Sequence, residues 1–207
     1  MKTEVLASTH PQAIQRALGV LGSGGLVAFP TDTVYGLGAP AFNAPAVEGI
    51  YLVKSRPGEK SIPVLLADPA DMQKVAAEVG PVALKLAARF WPGPLTLVVA
   101  KHPLLPAAVS DGPTVGVRLP DHPFARLLLL AAGPMAVTSA NLSGGQNPTT
   151  AQDVLEQLGG RIALILDGGR TPGGTPSTVV LCTGPEPEIL RQGPITREQI
   201  LAALGLG

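Results

Sequence analysis

Three cations stand within seven residues in the segment VKSRPGEKSIP: Lys54, Arg56 and Lys60. Arginine offers a planar fork of donors and lysine a point charge, so together they could clamp a phosphate. The same three residues also read as favourable charge at a helix C-terminus running into a solvated loop. A fourth cation, Arg118, follows Thr114 and Gly116 in TVGVRLP, among the alternating apolar residues Val115, Val117 and Leu119. Burying it unpaired would be costly, so it should face an anion or a carboxylate. The segment VTSANLSGGQNPTT leaves an apolar run through Ser139, Asn141 and Ser143 and reaches Thr149 and Thr150. Small hydroxyls, an amide and two glycines there could wrap a phosphate or carboxylate with backbone donors. TPGGTPSTVV and EILRQG add Ser177 and Arg191, again at the boundaries of apolar runs. Finally, FPTDTVYGLG places Thr31, Asp32, Thr33 and Tyr35 directly after the apolar run Leu26-Val27-Ala28-Phe29. Taken alone it reads as a turn with satisfied side chains. Taken with the others, it suggests one wall of a polyanion site.

Missing signatures narrow the chemistry. No G-x-x-x-x-G-K-[ST] loop is present, because DGGRTPGGTPST lacks the Lys-Ser/Thr ending. Neither a G-x-S-x-G elbow nor an H-E-x-x-H motif occurs. His10, His102 and His122 sit in cap or loop contexts, which makes a Ser-His hydrolase a poor fit. The single Cys182, in STVVLCTG, excludes an internal disulfide and any multi-cysteine metal site, and reads as a buried, inert thiol. These residues suit binding and charge neutralisation better than covalent catalysis.

The elements that must hold them are short. Thr9-His10-Pro11, Asp68-Pro69 and Asp121-His122-Pro123 read as helix starts with proline in the first turn. Thr150 with Asp153, and Thr196 with Gln199, have capping-box spacing. Helices are also expected over Pro45–Lys54 and Pro81–Phe90. The runs LVAF, IPVLLA, LTLVVA, VGVRL, MAVTS, IALIL, TVVLC and EILR predict strands. With no repeat or linker between them, the expectation is a single α/β domain over residues 5–200 with an open, twisted mixed sheet. The candidate residues fall at the ends of these elements, where a sheet presents side chains to a cleft.

Composition agrees with a globular protein. The chain has 207 residues, 45% of them apolar and only 3% aromatic, so its core must be built from Ala, Val, Leu and Ile. Fifteen basic and fifteen acidic residues give a formal net charge of zero. That balance, with so few aromatics for base stacking, counts against a dedicated RNA-binding module and leaves at most a weak RNA contact. No run approaches the ~18 apolar residues of a membrane span, and no signal peptide is visible, which implies a cytoplasmic protein with no membrane partner.

In order and approximate spacing, FPTDTVYGLG, KSRP, GVRLPDHP, TSANLSG, PSTVV and ILRQG resemble the YrdC-like family, the threonylcarbamoyl-AMP synthases. The resemblance implies a large concave cleft and an activity: L-threonine, bicarbonate and ATP give threonylcarbamoyl-adenylate and pyrophosphate. It further implies Mg²⁺ carried by ATP with no protein-bound metal, and a downstream tRNA-modifying transferase complex that uses the adenylate. By similarity Lys54, Arg56, Ser139 and Asn141 form the central catalytic set. Arg56, Lys60, Thr114, Asn141, Thr149 and Arg191 should line the nucleotide. Thr31 or Thr33, Arg118, Ser139 and Ser177 should contact threonine. This chain has Leu65 and Leu66 where many longer relatives carry a histidine, and it resembles the form without an additional C-terminal domain. A carbamoyl-adenylating relative is the competing reading within the resemblance.

Overall fold

The computed structural model describes residues 2–55, 58 and 60–206. Along the chain the first strands are β1 (Glu4–Ala7), β2 (Val27–Phe29), β3 (Gly36–Pro40), β4 (Val64–Leu65), β5 (Ala76–Glu78) and β6 (Leu95–Lys101). They are followed by β7 (Thr114–Arg118), β8 (Met135–Ser139), β9 (Leu164–Asp167), β10 (Thr178–Leu181) and β11 (Glu188–Arg191). The helices are α1 (Ala13–Gly22), α2 (Ala44–Lys54), α3 (Met72–Val75), α4 (Pro81–Phe90), α5 (Pro123–Ala132), α6 (Ala151–Leu158) and α7 (Arg197–Leu204).

All the strands join one mixed sheet in the order β1-β9-β2-β3-β8-β4-β7-β6-β10-β11, with β5 pairing β6 off this path. Four pairs are parallel (β1 with β9, β9 with β2, β4 with β7, β6 with β10) and the others, including the central β2-β3-β8-β4 run, are antiparallel. An α/β class with a mixed sheet is therefore what the chain adopts.

The period-2 pattern of each strand sorts its side chains between two faces. Leu37, Val64, Leu97, Val117, Ile165 and Val180 point to the larger core, packed with residues of α2, α4 and α6. Val27, Phe29, Leu65, Met135, Val137, Leu164 and Leu166 point the other way, where α1 and α5 cover them with Ala17, Leu21, Leu128 and Leu129. Registers Leu65↔Met135, Leu65↔Arg118, Val98↔Gly116 and Val179↔Thr96 carry this second face across β4, β7, β6 and β10. There, among the described residues, the face lines a cavity and is not packed under a helix. The cleft is thus the uncovered half of one sheet face.

Capping chemistry sets the helix boundaries. Thr150 with Asp153 and Thr196 with Gln199 both form the reciprocal capping box that their spacing suggests. His122 caps α5, its Nδ1 accepting from the Ala125 N–H at 3.3 Å. One start differs from expectation: α1 begins at Ala13, not after Thr9. His10 is drawn into a turn, its N–H donating to Ala7 O and its Nδ1 accepting from Gln12 N–H.

Strand β3 was not visible in the sequence, because Gly36 and Gly38 are weak strand formers. Packing selects them: a Cβ on Gly36 would lie 2.6 Å from Val137 Cγ1, and one on Gly38 2.8 Å from Met135 Cε.

Candidate functional site

The uncovered face encloses a cavity of about 340 Å³. Its apolar lining comes from Gly36, Leu65, Val98, Gly116, Val137 and Val179, with Val34 and two prolines. Beside these stand Thr31, Thr33, Arg118, Ser139, Ser177 and Arg191. The structure thus brings into one cavity every residue assigned by resemblance to threonine, together with one of those assigned to the nucleotide.

Arg118 is the most constrained of them. Lying at the end of β7, it donates from Nη2 to Asp32 Oδ1 at 2.5 Å, from Nη1 to Thr33 Oγ1 at 3.0 Å and from Nε to Gly93 O at 3.1 Å. Burial pushes the guanidinium below its ordinary pKa, and nearby Arg191 pushes the same way, while Asp32 opposes both. The second carboxylate oxygen, Asp32 Oδ2, is buried with no hydrogen-bond partner among the described residues. Sequence reasoning anticipated that Arg118 needs an anion but did not name Asp32. The signal was there: an acidic residue between two threonines in a run that otherwise looked like a turn.

The hydroxyls of the β2–β3 connection have a determined polarity. Thr31 Oγ1 donates to Val34 O at 2.7 Å, so its only proton is used. The 3.0 Å contact between Thr31 and Thr33 must then have Thr33 donating. Thr33 in turn accepts from Arg118. Thr31 Oγ1 also accepts from the N–H groups of Thr33 at 3.2 Å and Val34 at 3.3 Å, so it is saturated, whereas Thr33 has spent its proton and can still accept from a ligand. On the opposite wall, Arg191 holds the Ser177 carbonyl through Nε at 3.1 Å and Nη2 at 2.9 Å, and Nη2 reaches Ser177 Oγ at 3.2 Å. Ser177 Oγ and Thr96 Oγ1 are 2.8 Å apart. The loop after β9 closes over the first wall: Gly174 N–H donates to Thr33 O, and a Cβ on Gly173 would sit 2.9 Å from the Asp32 carbonyl oxygen.

Other expected residues lie elsewhere. Lys54 does not occupy an exposed polar loop: it ends α2, is 1% exposed, and its Nζ donates to the carbonyls of Ser139 (2.5 Å) and Asn141. Asn141 spends its amide on Leu142 O and Gly145 O, bracing the turn after β8. The backbone donors ahead of α6 are not open for a phosphate. Thr149 N–H, Thr150 N–H and Thr149 Oγ1 all donate to Asp153 Oδ2, which holds that carboxyl below its usual range. Thr149 also accepts from Arg170 at 2.8 Å, a cation that sequence reasoning passed over. Thr114 shares the face of Gly116 and Arg118 but stands beyond the cavity lining, as does Lys60, whose carbonyl accepts from Tyr51 OH. Arg56 lies outside the described residues.

Among the described residues no group of three or more His, Cys, Asp or Glu could hold a metal ion, and no helix is long and apolar enough to cross a membrane. The Cys182 thiol is buried, its pKa pushed up to about 12 by desolvation. What the cavity offers is two arginines, one of them paired with Asp32 behind it, and several hydroxyls beside apolar side chains. It can bind an anionic, hydrogen-bonding small molecule, and it contains no activated nucleophile.

A family model described as "Telomere recombination", Sua5/YciO/YrdC, matches residues 19–193. The threonylcarbamoyl-AMP synthase of Bacillus subtilis is 45% identical over 206 residues, which is 98% of this chain and 59% of that protein. A putative threonylcarbamoyl-AMP synthase of Mycobacterium tuberculosis is 40% identical, over 99% of this chain and 96% of its own length. Among solved structures, P. abyssi Sua5 complexed with L-threonine superposes with a TM-score of 0.93 at 39% identity, covering 98% of this chain and 61% of that one. The chain therefore spans about 60% of the length of two of these three relatives. Matching in sequence over most of its residues and in fold over nearly all of them, the chain belongs to the Sua5/YciO/YrdC family.

Proposed function

We propose that this chain is a nucleotidyltransferase that makes L-threonylcarbamoyl-adenylate and pyrophosphate from L-threonine, bicarbonate and ATP. One observation carries the reading: a single cavity gathers Arg118, Arg191, Thr31, Thr33, Ser139 and Ser177, with no Cys or His among its described lining residues to act as nucleophile or base. The chemistry asks for that combination. Threonine's amine adds to bicarbonate with loss of water, giving a carbamate whose oxygen is already anionic. That oxygen attacks the α-phosphorus of ATP, the bond to the β-phosphate oxygen breaks, and pyrophosphate leaves. No covalent enzyme intermediate is needed, so the residues have only to align the reactants and spread their charge.

In this reading the Thr33 hydroxyl accepts from a donor of threonine and Thr31 holds Thr33 in place, while Arg118 and Arg191 face the threonine carboxylate and the phosphates. Mg²⁺ would arrive as part of the ATP substrate and supply charge neutralisation on the phosphates. Sequence similarity to threonylcarbamoyl-AMP synthases and the threonine complex of P. abyssi Sua5 support the choice of substrate. The mixed anhydride formed is labile, so a downstream tRNA-modifying transferase complex would consume it.

The test is pyrophosphate release from ATP with and without threonine and bicarbonate. Release should require both. It should fall by up to ~10⁴-fold when valine replaces threonine, because the hydroxyl-lined wall then loses a partner. Release that ignores threonine would overturn the reading.

A further inference from the structure

We infer that Lys54 is a positioning residue that plugs a cage of oxygen atoms behind the cavity, and not a cation that touches the triphosphate. The inference rests on the reaction proposed above.

Lys54 is the last residue of α2 and its side chain is buried with the core. Its ammonium has three N–H donors and meets three oxygens: Ser139 O at 2.5 Å, Asn141 O, and Asn141 Oδ1 at 3.5 Å. All three belong to the segment leaving β8. A return bond runs from Ser143 N–H to Lys54 O at 2.8 Å. The helix end and the strand end are thus stitched in both directions. The next peptide is held from the other side, since Ala140 N–H donates to Tyr35 O at 2.8 Å. Ser139, whose carbonyl enters the cage, lines the cavity, whereas Lys54 does not. Lys54 therefore acts on the substrate through Ser139. Immediately after Lys54, Ser55 takes a left-handed φ of 51°.

Shape separates the two roles. A compact ammonium with tetrahedral donors suits converging carbonyls, whereas a planar guanidinium does not. A phosphate clamp would accept either. Lys54→Arg should therefore be as defective as Lys54→Met. Both should lose ~100-fold in kcat/KM for threonine, the scale expected when a reacting group is displaced by about 1 Å, with the KM for ATP nearly unchanged. Hydrogen exchange supplies a readout independent of turnover: amides 139–145 should exchange faster in both variants, while those of Thr171, Gly173 and Gly174, in the loop over the Thr31–Thr33 wall, should not. Near-normal turnover in Lys54→Arg, or a raised ATP KM with unchanged exchange at 139–145, would overturn the inference. If neither variant folds, the wild type decides. In ¹⁵N-lysine-labelled protein the Lys54 Nζ resonance should stay put on addition of a non-hydrolysable ATP analogue, and a shift with coupling to ³¹P would overturn the proposal. Failure of the functional reading shows separately, as wild-type protein that releases no threonine-dependent pyrophosphate.

Discussion

Arg118 and Asp32 lie 2.5 Å apart with side chains only 7% and 10% exposed, so the central cation of the cavity is neutralised from within the protein. Removing one partner leaves the other charged and dry. Asp32→Ala should lower stability by about 3 kcal/mol, the scale of a broken buried pair, measured by chemical denaturation. A loss below about 0.5 kcal/mol, typical of surface changes, would mean that water reaches the guanidinium.

Arg118→Lys tests the ligand side of the same pair. Lysine keeps the charge but cannot serve Asp32, Thr33 and Gly93 at once from a planar fork. Thr33 would then be released from its present geometry, so threonine binding should weaken much more than ATP binding. Calorimetric titration of each ligand into both proteins checks this. A fall in ATP affinity alone would place Arg118 in the nucleotide site.

Gly193, in ILRQG, has no room for a side chain. A Cβ there would lie 2.4 Å from Thr178 N, 2.5 Å from Pro176 O and 2.6 Å from the Ser177 carbonyl carbon, all backbone atoms that cannot swing aside. Gly193→Ala should cost about 1–3 kcal/mol by overpacking and shift Arg191 off the Ser177 carbonyl. Gly112→Ala, where nothing stands within 4 Å, is the control and should leave the melting temperature unchanged within error.

What the chain reveals before folding depends on whether a signal is local. The capping boxes at Thr150 and Thr196, and the strands Met135–Ser139 and Glu188–Arg191, lie where short-range patterns put them. Six polar residues of the lining, Thr31, Thr33, Arg118, Ser139, Ser177 and Arg191, stood out because they interrupt apolar runs near their ends, whereas Thr96 did not, lying within the strand run LTLVVA. Strand β3 was not legible, since the reason for Gly36 is the approach of Val137, a residue 101 positions away. The burial of Lys54 was not legible for the same reason: its place at a helix end was, but only the arrival of the Ser139 and Asn141 carbonyls makes the position a buried cage.

His122 provides a pH-dependent contribution of known sign. Its Nδ1 accepts from the Ala125 N–H, so the folded protein needs that nitrogen unprotonated. Burial lowers its pKa from the ordinary 6.5, and Asp32 and Asp121 oppose the shift only in part. Below 6.5 the unfolded chain therefore binds the proton before the folded one does. The stability from this residue is complete above that value and is lost as pH falls through the lowered folded pKa. Protonation also turns the cap from acceptor to donor and leaves the Ala125 N–H facing another N–H. His122→Asn supplies an oxygen that caps without titrating near neutrality. Wild type and variant should show similar stabilities at pH about 7.5, above the ordinary histidine value. As pH is lowered towards about 5, the wild type should lose more, the difference growing steadily through that interval. Denaturation at stepped pH values gives the comparison, and other titrating groups cancel in it. Parallel curves would show that the imidazole does not change protonation between the two states, and that α5 takes its cap from elsewhere.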